Sequence, residues 1–326
     1  MKRIAQDIKN GQFNNIYLLY GEEAYLRRQY RDNLKKALVA EDDTLNCTSY
    51  SGKDINVNEI VDIAGTMPFF AERRVIIIEN SGWLKSGEDR MVDLIKNLPD
   101  TTYIVFVESE VDKRSKLYKA VTAKGYAALC EMQDETMLKK WIMGLLKKEN
   151  KRITPDALNL LLDKTGTNME NIRREVEKLV CYRYFDEGIT VEDVEALCIV
   201  QVQNKIFDMV EAVAQKRQKE ALDWYYDLLA LKEAPMKILA LISRQFHMLL
   251  QVKEMRQKGY PEADIAKQTG LNAYYLKKKY IPQAAQFQIS QLETALRKCV
   301  EAEEDVKTGR MQDILSVELI IVGLSS

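Results

Sequence analysis

Apolar and polar positions switch between two periods along the first third of the chain. IYLLY (16–20), NCTSY (46–50), VIIIE (75–79), TYIVFVE (102–108) and YAALC (126–130) are short, β-leaning runs. Between them the apolar spacing turns helical: Tyr25, Leu26, Tyr30, Leu34 and Leu38 over 23–39, then Val57, Ile60, Val61 and Ala64 over 57–66, then Met91, Leu94, Ile95 and Leu98 over 88–98. Strands that alternate with helices predict a parallel sheet covered on both faces.

After about residue 135 the strand pattern stops. Met137, Leu138, Trp141, Ile142, Leu145 and Leu146 make one helical stripe. Thr154-Pro155 is an N-cap followed by proline at the first helical position, and helices are expected over 156–163, 169–183 and 190–198. From about 205 the helices lengthen, near 204–217, 218–231, 235–258, 262–269, 272–280, 289–308 and 311–323, with Gly259-Tyr260-Pro261 as a break. The division is therefore an α/β part over 1–135, a small helical part over 136–203 and an all-α part over 204–326.

Composition adds limits. The 326 residues carry a net charge of −1, so no overall basic field points to nucleic acid. No apolar run reaches the ~18–20 residues that span a bilayer, and MKRIAQDIKNGQF offers no hydrophobic signal segment. Cys47, Cys130, Cys181, Cys198 and Cys299 show no CxxC spacing and read as reduced thiols of a cytoplasmic protein.

A five-stranded parallel sheet with a helical module suggests a nucleotide-binding fold, whose first strand should run into G-x-x-x-x-G-K-[ST]. Here the strand ends LLYGEEAYLRR: Gly21 is present, but the second glycine, the lysine and the hydroxyl are not. Glu22 and Glu23 occupy the first helical turn, where they suit the helix dipole and repel a triphosphate. Glu79 and Glu108, single acids at strand ends, read as solvated rim residues rather than a metal pair. His247, the lone histidine, sits mid-helix and is expected in core or interface packing; no catalytic, cofactor or metal residues are assigned. An NTPase with a non-standard phosphate site stays open as an alternative.

PEADIAKQTGLNAYYLKKKY (261–280) has the spacing of a helix-turn-helix, with Ala266 at the crossing, Gly270 in the turn and Leu276 as anchor. Lys277, Lys278 and Lys279 would suit phosphates. The same residues equally suit a tight corner inside a bundle, and Tyr274 and Tyr275 stand where base-reading polar groups are expected. A DNA-binding protein is the second alternative.

GTMPFFAERRVIIIEN (65–80) places Met67, Phe69 and Phe70 around Pro68, just before the third strand. Composition alone would bury both rings. Yet Pro68 should end the preceding helix, so 67–74 becomes a loop at a sheet edge, where two adjacent rings cannot both turn inward. Exposed aromatics rimmed by Glu72, Arg73 and Arg74 have the makeup of an interface hot spot.

YLLYGEEAYL, MPFFAERRVIIIEN, GTNMENIRREVEKL, ILALISRQFHMLLQVKEM and EAEEDVKTGRMQDILSVELIIVGL, in that order, resemble the delta subunit of bacterial DNA polymerase III over essentially the whole chain. The resemblance implies an AAA+-like parallel five-stranded sheet without a working ATP site, a helical lid and a helical collar. It implies a subunit without intrinsic activity or cofactor, acting in DNA replication. It implies binding and opening of the sliding clamp (beta) through Met67, Phe69 and Phe70, association with gamma/tau and delta prime through the collar, and access to primed DNA within the complex.

Overall fold

The computed structural model describes residues 2–40, 43–198 and 202–325. The chain divides into two compact units, Met1–Gln133 and Asp134–Ser326.

In the first unit the elements run α1 (Lys2–Asn10), β1 (Ile16–Tyr20), α2 (Ala24–Leu38), β2 (Cys47–Ser51), α3 (Val57–Ala64) and β3 (Arg74–Glu79). They continue with α4 (Trp83–Ser86), α5 (Asp89–Lys96), β4 (Thr102–Glu108), α6 (Lys116–Lys124) and β5 (Tyr126–Leu129). The strands form one sheet in the order β2-β3-β4-β1-β5, and all of its pairings are parallel. Because successive side chains point to opposite faces, the inner strands are apolar on both sides. Tyr17, Leu19, Val75, Ile77, Val105 and Val107 pack on one face with Ile4, Leu34 and Leu38. Ile16, Leu18, Ile76, Ile78, Ile104 and Phe106 pack on the other with Ile60, Ile95, Leu117 and Val121. β2 and β5 are the edge strands, and β2 is only partly covered.

The second unit runs α7 (Glu135–Lys148), β6 (Arg152–Ile153), α8 (Pro155–Thr165), α9 (Met169–Tyr182), β7 (Gly188–Ile189) and α10 (Val191–Leu197). It continues with α11 (Val202–Ala214), α12 (Gln218–Ala230), α13 (Pro235–Gln257), α14 (Glu262–Thr269) and α15 (Ala273–Tyr275). A π turn (Leu276–Tyr280) leads to α16 (Ile281–Gln286), α17 (Ile289–Lys307) and α18 (Asp313–Ser325). The expectation that strands end near 135 needs correction: β6 and β7 form a two-residue parallel pair. Such a pair is too short to show a period in the sequence. The boundary expected at 203/204 falls in the first turn of α11, and residues 199–201 just before it lie outside the described residues.

The helix expected over 272–280 is also modified. Pro282 has no amide hydrogen for an i→i−4 bond, and the turn before it widens to π geometry, after which α16 continues. Among the described residues no helix is long and apolar enough to cross a membrane.

Candidate functional site

The segment between α3 and β3 turns its side chains outward. Met67 is 79% exposed, Phe69 57% and Phe70 95%. The two rings meet edge to face, 4.7 Å between centroids at 83°, the arrangement that aromatic quadrupoles favour. Phe70 has φ 48°. A bulky residue is rarely found in the left-handed region, at a cost of about 1–3 kcal/mol, so the surroundings must enforce it.

They do so from two sides. Asn46, 2% exposed, lies at the start of β2. Its Oδ1 accepts the Phe69 amide at 2.7 Å, and its Nδ2 donates to the Phe69 carbonyl at 2.9 Å. Asp43 in turn accepts from Asn46 Nδ2 at 2.8 Å and from its backbone amide at 2.9 Å. On the other side the Arg74 guanidinium donates to the carbonyls of Thr66 (3.3 Å), Met67 (2.9 Å) and Leu45 (3.4 Å). Arg73 lies over the rings of Phe13 and Tyr103, 5.0 and 5.8 Å from their centroids. The basic pair read as a charged rim is therefore turned to structural use, and Glu72 is its exposed remnant.

The turn at which a phosphate loop is expected is tied to the neighbouring strand. Gly21 has φ 125°, and a Cβ there would stand 2.5 Å from the Cys130 carbonyl oxygen. The Gly21 amide donates to the Glu108 carbonyl (3.3 Å), the Glu23 amide to the Cys130 carbonyl (3.0 Å) and the Cys130 amide to the Tyr20 carbonyl (2.6 Å). Glu23 is buried and caps α2 by accepting the Tyr25 amide at 3.0 Å. Burial pushes its carboxyl above the ordinary range.

Glu108 is 3% exposed, which corrects the reading of a solvated rim residue. It accepts from the Ser81 amide (2.9 Å), Ser81 Oγ (2.5 Å) and the Gly82 amide (3.3 Å), tying down the turn after β3. Burial again raises its carboxyl, while those bonds and the charge of Arg27 act the other way. Glu79 receives two 2.8 Å bonds from Arg31. Among the described residues no group of three or more potential metal ligands comes together. His247 is exposed rather than in the core, at the rim of a groove between α13 and α17.

The 261–280 corner is packed against its own unit. Leu276 is buried, and Tyr275 stacks on Phe207 with centroids 6.3 Å apart. Lys278 pairs with Asp163. Lys279 lies 5.2 Å from the centroid of the Phe207 ring, and burial lowers its ammonium below the ordinary range. Two of the three lysines are thus engaged by side chains of their own unit, Lys278 at its surface and Lys279 buried more deeply.

The exposure of Met67, Phe69 and Phe70 was legible in the sequence, whereas the parts that Asn46 and Arg74 play in holding the loop were not, Arg74 being read only as part of a charged rim. Asn46 acts over 23 residues, and no local pattern reports such a pairing. The only signal was a polar residue just ahead of a strand.

A family model described as "DNA polymerase III, delta subunit" matches residues 17–132, and one described as "DNA polymerase III delta subunit, C-terminal domain" matches residues 203–324. The DNA polymerase III subunit delta of Bacillus subtilis is 26% identical, covering 98% of this chain and 96% of its own. The probable DNA polymerase III subunit delta of Aquifex aeolicus is 23% identical, covering 81% and 78%. The solved structure of the Bacillus subtilis DNA clamp loader delta protein superposes with a TM-score of 0.81 at 26% identity, covering 99% of both chains. The five-stranded parallel sheet with a helical C-terminal region is thus shared with that protein. This chain belongs to the family of DNA polymerase III delta subunits, the clamp-loader delta proteins of DNA replication.

Proposed function

We propose that this chain binds a ring-shaped sliding clamp and favours its opened form, without hydrolysing ATP itself. The carrying observation is Phe70, 95% exposed on a backbone that costs energy to hold. An aromatic pair so presented suits an apolar pocket on a partner, and each ring can contribute about 1.5–3 kcal/mol on burial. Met67, Phe69 and Phe70 are the proposed contact residues.

Opening follows from differential affinity. The subunit shifts the clamp between closed and open forms only by the difference in its binding to the two. The filled turn at Gly21 supports leaving hydrolysis to other subunits. Gamma/tau and delta prime are the proposed neighbours, joined through 204–326; Val300, Ile314, Leu315 and Leu319 are exposed apolar residues there that suit such contacts. The lid over 136–203, the cytoplasmic setting and access to primed DNA within the assembly belong to the same reading.

The test is binding of the full chain to its cognate clamp, with and without Phe69→Ala/Phe70→Ala. Loss of binding is expected, and wild-type affinity in the double variant refutes the loop as anchor. Titration with Mg-ATP is expected to show no saturable binding.

A further inference from the structure

We infer that the clamp-gripping surface is built from two segments: Leu45 is a fourth apolar contact, and Asn46 and Arg74 are positioning residues that set the loop before the clamp arrives. This rests on the proposed binding role of Met67, Phe69 and Phe70.

Leu45 is 63% exposed, more so than Phe69 at 57%. It precedes Asn46, whose amide group holds both backbone polar groups of Phe69. The single Arg74 guanidinium reaches the carbonyls of both Leu45 and Met67. The turn at 43–46 and the loop at 66–74 are therefore neighbours fixed to each other by three hydrogen bonds, and two more from Arg74 brace the loop itself. Leu45 thus leaves an apolar side chain in water on the segment that is bonded to the aromatic loop, and on this inference a partner surface that accepts the rings meets Leu45 as well.

The pre-set conformation matters for affinity. A floppy loop loses rotamer and backbone freedom when it docks, and that loss subtracts from the contact energy. Here the cost is met on folding: Asn46 and Arg74 hold the backbone of Thr66, Met67 and Phe69, just before the left-handed Phe70, by bonds that do not involve its ring. Asn46 is suited to this because one side chain supplies a donor and an acceptor to the same residue. Arg74 is suited because its planar fork presents several N–H donors in a fixed geometry to carbonyls of both segments.

The experiment compares the full-length wild type with Leu45→Ala, Asn46→Ala, Arg74→Met and Phe69→Ala/Phe70→Ala, measuring affinity for the cognate clamp and hydrogen exchange of the free chain. Leu45→Ala is expected to weaken binding about 5- to 20-fold with unchanged exchange. Asn46→Ala and Arg74→Met are expected to speed exchange of the Phe69 amide and neighbouring loop amides, and to weaken binding with all contact side chains still present. Arg74→Met guards against Asn46→Ala failing to fold, and Leu45→Ala alters an exposed side chain only.

If Phe69→Ala/Phe70→Ala abolishes binding while the other three variants bind like wild type, the two-segment surface is overturned and the loop reading stands. If the double variant binds like wild type, both fall together.

Discussion

Tyr275 occupies the space that a side chain at Gly166 would need: a Cβ there would stand 2.0 Å from the tyrosine hydroxyl oxygen. The same oxygen accepts the Thr167 amide at 3.3 Å. Asn204 donates to the Asp163 carbonyl at 2.6 Å close by, so α8 is pinned to α11 and to the 273–280 corner at one spot.

Gly166→Ala is therefore expected to destabilise the second unit by more than about 1 kcal/mol, because φ 74° and the hydroxyl both oppose it. Tyr275→Phe removes a hydrogen bond and is expected to cost about 1 kcal/mol. Combined, the two should cost less than their sum, since the phenylalanine vacates the contested space. Denaturant unfolding of the four proteins checks this.

Phe70→Asn is expected to make the chain more stable and less able to bind. Asparagine accepts the left-handed backbone far better than phenylalanine, so a gain of about 0.5–1 kcal/mol is expected. Affinity for the clamp should fall by tenfold or more, since the most exposed ring is gone. Thermal melts and binding curves on the same variant test both signs.

Gly21→Ala places a methyl group against the Cys130 backbone, which cannot swing away as a side chain could. A fall in thermal midpoint is expected, with loss of amide protection in the turn after β1 and at the end of β5. Unchanged melting would contradict the close approach of these segments.

Acid should weaken the region around α10. Arg183 holds the Asp193 carboxyl below the ordinary range, at 2.7 Å, helped by a 2.8 Å bond from the Thr190 amide. A depressed carboxyl contributes stability that is present above its unfolded value, about pH 4, and is lost as pH falls through the folded value. The stability gap between wild type and Asp193→Asn should therefore shrink below about pH 4 and be full at neutral pH. A gap that widens in acid would contradict the ion pair.

Thiol labelling should separate the cysteines. Burial pushes Cys130 up to about 11 and Cys198 and Cys299 up to about 12, so the reactive thiolate is scarce at pH 8. Cys181 is exposed. Iodoacetamide on the native chain is expected to modify Cys181 first and those three only on unfolding, as read by peptide mass.

The sheet was legible because Val75–Ile78 and Ile104–Val107 are apolar on both faces, which only a doubly covered parallel strand requires. The exposed loop was legible because Pro68 forbids the helix from carrying its rings inward. Other features depended on distant partners. Glu108 looks like a solvated acid until the 81–82 turn folds over it. β6 finds β7 across the 34 residues of 154–187 with two residues each. α16 was missed because Pro282 reads as a stop, although a widened turn carries the helix past it.

The hydrogen bonds that bind the turn after β1 to Cys130 have a dynamic consequence. On the proposed reading, a segment sewn to its neighbour strand is not the part that reports the arrival or departure of a small molecule. On that reading such a subunit keeps no clock of its own: the moment at which its aromatic tip is shown to the ring must be dictated from outside.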